Sequence, residues 1–223
     1  HHIYGIFSKG HRPWPTYTKL IMVIVLMGAL LPIFTLFLGS MSGSEELKRI
    51  FGVTRANLWG HVLGTFHNIC CWPLITALVV GGLISEDRQH GTSAIYFSRP
   101  ITRTDYTLMK FISAALVLSL IIVFSYCAYY AAAIVLNNEG WAYLLDTFPY
   151  FFGGFIAAVM LVVTYTSIGL ALSSISKGKF FPAVSFMGVV FGSKLIAFLI
   201  ELLFERDTLY LLSPHDNLAH VGQ

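Results

Sequence analysis

Phe111 to Leu136 is a run of 26 residues without a single Asp, Glu, Lys or Arg. A helix needs about 20 apolar residues to cross roughly 30 Å of hydrocarbon, so this run is a membrane span by length alone. Four further stretches read the same way: Leu20–Leu38 with Pro32 inside it, Val62–Ile84 interrupted by His67, Asn68 and Pro73, Tyr150–Ile175 rich in Gly and Ala, and Phe181–Phe204 with Lys194 and Glu201 inside it. Composition agrees. The chain is 56% hydrophobic and only 11% charged, where a soluble domain carries about 25% charged residues. Disorder is excluded by the apolar content and a broad nucleic-acid surface by the small number of cations. The expected fold is all-α, a polytopic membrane bundle forming a single transmembrane domain over residues 1–223.

Five spans put the termini on opposite sides. With the N-terminus in the cytoplasm, the inner segments hold nine basic residues (Lys9, Arg12, Lys19, Arg88, Arg99, Arg103, Lys110, Lys177 and Lys179) against four outside (Lys48, Arg49, Arg55 and Arg206). Positive charge is retained inside, which sets this orientation. Trp72, Trp141, Tyr150, Phe151 and Phe152 then fall near the outer boundary, and the Tyr126, Tyr129, Tyr130 group reads as part of an outer aromatic belt rather than a ligand site. The first apolar run is too long for the core of a cleavable signal peptide. In the outer loop, Ser42-Gly43-Ser44-Glu45 has capping-box spacing ahead of Leu47, Ile50 and Phe51, which predicts a short surface helix.

The inner loop from Ser85 to Lys110 carries most of the functional information. Ser85 is placed to cap a short helix, with Glu86 and Asp87 against its positive end. Gly91 interrupts that helix, Pro100 forces Arg99 out of helical geometry, and Thr102-Arg103-Thr104-Asp105 is a second capping box that starts the long helix into the third span. Glu86-Asp87-Arg88, Gly91-Thr92, Ser98-Arg99-Pro100, Arg103, Asp105-Tyr106 and Lys110 together resemble the inner loop of the permease subunits of type-2 (ABC-2) exporters, with weaker matches at Tyr4-Gly5 and Leu212-Ser213-Pro214.

That resemblance implies a six-span permease, dimeric, in the cytoplasmic membrane of a prokaryote and driven by separate cytoplasmic ABC ATPase subunits. It implies that Glu86, Asp87, Arg88, Gly91 and Thr92 lie at the ATPase contact, with Arg99 and Pro100 shaping the exit. No GxxxxGK[ST] occurs in the sequence, so ATP and Mg are expected in the partner, with no cofactor and no catalytic residue in this chain. The expected partners are the ATPase, a second permease copy and the lipid bilayer, and no nucleic acid. Since only five spans are visible, a sixth is expected beyond Gln223, and residues are expected upstream of His1. Pro13-Trp14-Pro15 departs from the amphipathic N-terminal helix of the family.

Two features of the fifth span invite a role in the translocation path or at the dimer interface. Lys194 sits near midplane, where burial costs about 2.5–3.5 kcal/mol unless compensated. Glu201 follows at i+7, on nearly the same face and about 10 Å further along the axis. Gly188 and Gly192 form a GxxxG, which allows close approach of another helix. That helix is either in a second copy or in the same chain, at Gly153, Gly154 or Gly169. A metal site at His61, His67, Cys70 and Cys71 is disfavoured because no other span supplies a histidine, and three cysteines in apolar surroundings read as small hydrophobes. The same histidine census disfavours a membrane anchor of a redox complex. The absence of an internal repeat disfavours a secondary transporter.

Overall fold

The computed structural model describes residues 16–41, 60, 62–63, 66–91, 102–136, 141–176, 178 and 180–204. Within these residues the chain is helical, with no strand. The helices are α1 (Thr16–Met41), α2 (Phe66–Val80), α3 (Ser85–Gln89), α4 (Arg103–Leu136), α5 (Trp141–Ile175) and α6 (Phe180–Phe204). The surface helix expected at 45–51 lies outside the described residues, as do Thr92, Arg99 and Pro100.

The start of α4 is written locally. The Thr102 hydroxyl accepts the Asp105 N–H at 3.2 Å and donates to the Asp105 carboxylate at 2.6 Å, while the Thr102 N–H donates to that carboxylate at 3.2 Å. This is the reciprocal capping box expected from the spacing, and it satisfies two amide groups that the first turn leaves without partners. The hydrogen bonds from Thr102 hold the Asp105 carboxyl below its usual range. Asp105 is exposed, ahead of the apolar stretch that begins at Phe111.

Among the described residues, three helices have the length and apolarity to cross a membrane: Arg103–Leu136, Trp141–Ile175 and Phe180–Ile200. Two of them run further than the apolar stretches. α5 begins at Trp141 and passes through Pro149, where the sequence pattern starts a span only at Tyr150. The reason is tertiary. Tyr143 and Thr147, one turn apart before Pro149, are buried against α4, so packing carries the helix back past the proline. α2 is shorter than its apolar run, because Gly81 to Ile84 form a turn that leads directly into α3.

α5 packs along α4, and α4 packs on α1. α2 sits among α1, α5 and α6, and touches α4. The inward face of α5 repeats at helical intervals, with Gly154, Ala158, Leu161, Tyr165, Gly169 and Ser173 all buried. Gly169 is required by a neighbour: a Cβ there would lie 2.8 Å from Cγ1 of Val80 on α2. Tyr165 meets Phe186 of α6 edge-on, with ring centroids 5.5 Å apart. Opposite the core, α4 exposes Met109, Ile112, Leu116, Leu120 and Phe124 in one continuous stripe. A water-soluble chain does not leave such a stripe open.

The aromatic cluster corrects the belt reading. Tyr126 and Tyr129 are fully buried and Tyr130 nearly so. Phe151 stacks on Tyr126 and Tyr130, with centroid distances of 5.5 and 4.3 Å. The Tyr126 hydroxyl donates to the Phe151 carbonyl at 3.2 Å, and the Tyr130 hydroxyl lies 3.1 Å from that of Thr147. Tyrosine suits this position because its ring packs between helices while its hydroxyl finds a backbone partner.

Candidate functional site

At the opposite end of the α4–α5 pair, the chain leaves α2 through a tight turn. The Gly81 and Leu83 N–H groups donate to the Ala77 and Val80 carbonyls, and the Ser85 hydroxyl donates back to the Gly81 carbonyl at 3.2 Å. Ser85 therefore begins α3, but its side chain does not cap it. The cap comes from α5. The hydroxyl oxygen of Ser173, fully buried, accepts the N–H groups of both Ile84 (3.1 Å) and Ser85 (3.2 Å). In return, the guanidinium of Arg88 donates to the Ser174 carbonyl in the last turn of α5. That carbonyl has no partner within its own helix, and a cation there also suits the negative end of the helix dipole. Each helix thus supplies what the other's terminus lacks.

A second attachment joins α3 to the first turns of α4. The Asp87 Oδ2 atom accepts the Tyr106 hydroxyl at 2.6 Å and pairs with Lys110 Nζ at 2.8 Å. The Asp87 and Lys110 side chains are only 6% and 12% exposed. Tyr106 and Lys110 are four residues apart, so they share one face of α4, and the ammonium lies 5.7 Å from the Tyr106 ring centroid. Asp87 thus faces inward. Arg88 spends one donor on α5 although the residue is exposed.

Gln89, His90 and Gly91 are exposed at the tip. Gly91 has φ +67°, a left-handed conformation that a side chain disfavours, and it turns the chain away after the Arg88 carbonyl accepts its N–H. For Glu86 only the helical backbone is described. The residues that hold this site together and that the sequence pattern left without a role are Ser173, Ser174, Tyr106 and Lys110. The i,i+4 spacing of Tyr106 and Lys110 was a visible signal, whereas nothing near Ser173 points to a partner 88 residues away. Among the described residues, the site shows no nucleophile–base pair. Its geometry is that of a docked helix with an exposed tip.

The profile of the family described as ABC-2 family transporter protein matches residues 16–191, well over half of the chain. The chain belongs to the ABC-2 transporter family. The match runs from α1 into α6 and takes in the docked α3. As an ABC-2 permease the chain is a membrane-spanning transport subunit of an ABC transporter. No curated protein and no solved structure matches the chain.

In this permease the remaining sequence candidates lie on α6. Lys194 is half-buried beside Ser193, whose hydroxyl donates to the Val190 carbonyl at 3.0 Å. For Glu201 only the helical backbone is described, and the side chains of His67, Cys70 and Cys71 lie outside the described residues. A Cβ at Gly188, Gly192 or Gly153 would meet nothing within 4 Å. Among the described residues, then, the GxxxG of α6 does not pack within the chain, and of the three glycines weighed as its partner, Gly169 packs on Val80 instead.

Proposed function

We propose that this permease is the membrane half of an ATP-driven exporter, with two copies forming the path and a separate cytoplasmic ATPase seated on the 85–100 loop. The N-terminus is cytoplasmic, and the five apolar stretches are spans. The host membrane is the cytoplasmic membrane of a prokaryote. Glu86, Gly91 and Thr92 meet the ATPase directly. Asp87 and Arg88 shape that contact from within, and Arg99 and Pro100 set the path of the chain beyond it. ATP with Mg binds in the partner, whose closure tilts the spans through the loop. Gly188 and Gly192 face the second copy, and Lys194 and Glu201 line the path.

The observation that best supports this reading is the exposed tip Gln89–Gly91, carried on a helix fastened to both α4 and α5. An element that only closed a loop has no need of two polar anchors. Purification in mild detergent followed by mass spectrometry tests the reading. A Walker-type ATPase is expected to co-purify, and to be lost when Glu86 and Gln89 are both replaced by Ala. A haem or flavin spectrum with no ATPase contradicts it and favours a redox anchor.

A further inference from the structure

Asp87 and Tyr106 are 19 positions apart in sequence, yet their side chains touch. A push applied to α3 therefore has a route to α4 through side-chain contact. We infer that Asp87, Lys110 and Tyr106 are positioning residues that make α3 and the first turns of α4 a single mechanical unit, so that displacement of α3 is delivered to α4. This deepens the ATPase-docking reading and rests on it.

The chemistry favours transmission over simple adhesion. Two apolar surfaces can slide over one another at little cost, because contact area changes slowly with displacement. A charge-assisted hydrogen bond weakens steeply with distance and angle. Here one carboxylate oxygen holds both an ammonium and a phenol from adjacent turns of the same helix. Neither partner can move without straining the other bond. Burying an ion pair is a weak source of stability compared with an apolar substitute, but parting it leaves an uncompensated buried charge. The pair therefore specifies one docking geometry for α3. Arg88 and Ser173 add a second, uncharged-acceptor attachment to the end of α5. Together they define which helices receive the movement: α4 at its start and α5 at its end.

Hydrogen exchange on the permease–ATPase complex in nanodiscs tests this, with and without a non-hydrolysable ATP analogue. In the native complex, nucleotide is expected to change exchange over 84–89 and over 103–110 together. In Asp87→Asn and in Lys110→Met the change persists over 84–89 and is lost over 103–110, while the ATPase remains bound. The exchanged pair Asp87→Lys with Lys110→Asp restores it. A response at 103–110 that survives Asp87→Asn overturns the inference. A second readout needs no nucleotide and no partner: exchange at the Ile84 and Ser85 amides is expected to be at least about tenfold faster in Asp87→Asn than in the native permease. If no ATPase binds, the docking reading fails, and this basal exchange still decides whether the latch exists. Should Asp87→Asn not insert, Tyr106→Phe removes a single bond and is expected to give the same change in smaller measure. Unchanged exchange in both Tyr106→Phe and Lys110→Met contradicts the latch.

Discussion

The α4–α5 pair is held by different chemistry at its two ends. Near Tyr126, Tyr130 and Phe151, stacked rings fill the space between the helices, and hydroxyls end on nearby backbone carbonyls or Thr147. Near Ser85 the two helices are instead joined through a third, by an ion pair to α4 and reciprocal caps to α5. Ring stacking is broad and forgiving of small shifts. Charge-assisted bonds are directional and depend on one geometry. Under the proposed coupling, the aromatic end would serve as a fixed pivot and the polar end as the place where force enters.

The largest effect is expected at the polar end. Asp87→Ala leaves Lys110 without its carboxylate in a nearly buried position, a loss of about 3–5 kcal/mol for pairs of this kind. Thermal unfolding in detergent should show it, and the double replacement Asp87→Ala with Lys110→Met should recover most of the loss. If the double variant is as weak as the single one, the pair is not what joins α3 to α4.

A smaller effect, about 1–3 kcal/mol, is expected from Gly169→Val. Its Cβ meets the branched side chain of Val80, which cannot swing aside as a long flexible one can. The same unfolding measurement on Gly188→Val and Gly192→Val should show little change within one chain, since a Cβ at either meets nothing within 4 Å among the described residues. These two variants should instead shift the monomer–dimer balance in detergent.

At the aromatic end Phe151→Ala should cost about 1–2 kcal/mol. In a membrane the displaced ring gains little by leaving lipid, so mainly packing is lost. Nucleotide-linked exchange at 103–110 should survive this change, in contrast to Asp87→Asn. If Phe151→Ala abolishes that response as well, the two ends do not differ in role.

The smallest effect is expected on acidification. Asp105 is a stronger acid in the folded chain than in an unfolded one, because Thr102 bonds its ionised form. Its contribution is complete above the ordinary carboxylate range and fades as pH falls through the lowered value. Protection of the first-turn amides of α4, taken relative to their intrinsic exchange at each pH, should fall with acid, and Thr102→Val should flatten that dependence.

What the sequence made legible follows how local each interaction is. The capping box at Thr102 and Asp105 involves four adjacent residues, so spacing alone identifies it. The long apolar runs likewise announce the helices. The cap on α3 was not legible, because Ser173 reaches it from the far end of α5 and no local pattern encodes that contact. The tyrosines were misplaced for a related reason. Their position along the span suits a belt at the membrane surface, but which face of α4 they occupy depends on Tyr143, Thr147 and Phe151 of the neighbouring helix. The start of α5 was obscured by Pro149, whose local signal is overridden by that same contact.

The most direct test of the account is site-specific photocrosslinking from Gln89, exposed at the tip of the docked helix, in native membranes. A crosslink from Gln89 to an ATP-hydrolysing subunit, retained in Asp87→Asn while the nucleotide response over 103–110 is lost, is the predicted result. Crosslinks to lipid alone, with no ATPase captured from Gln89 in the native chain, would contradict it.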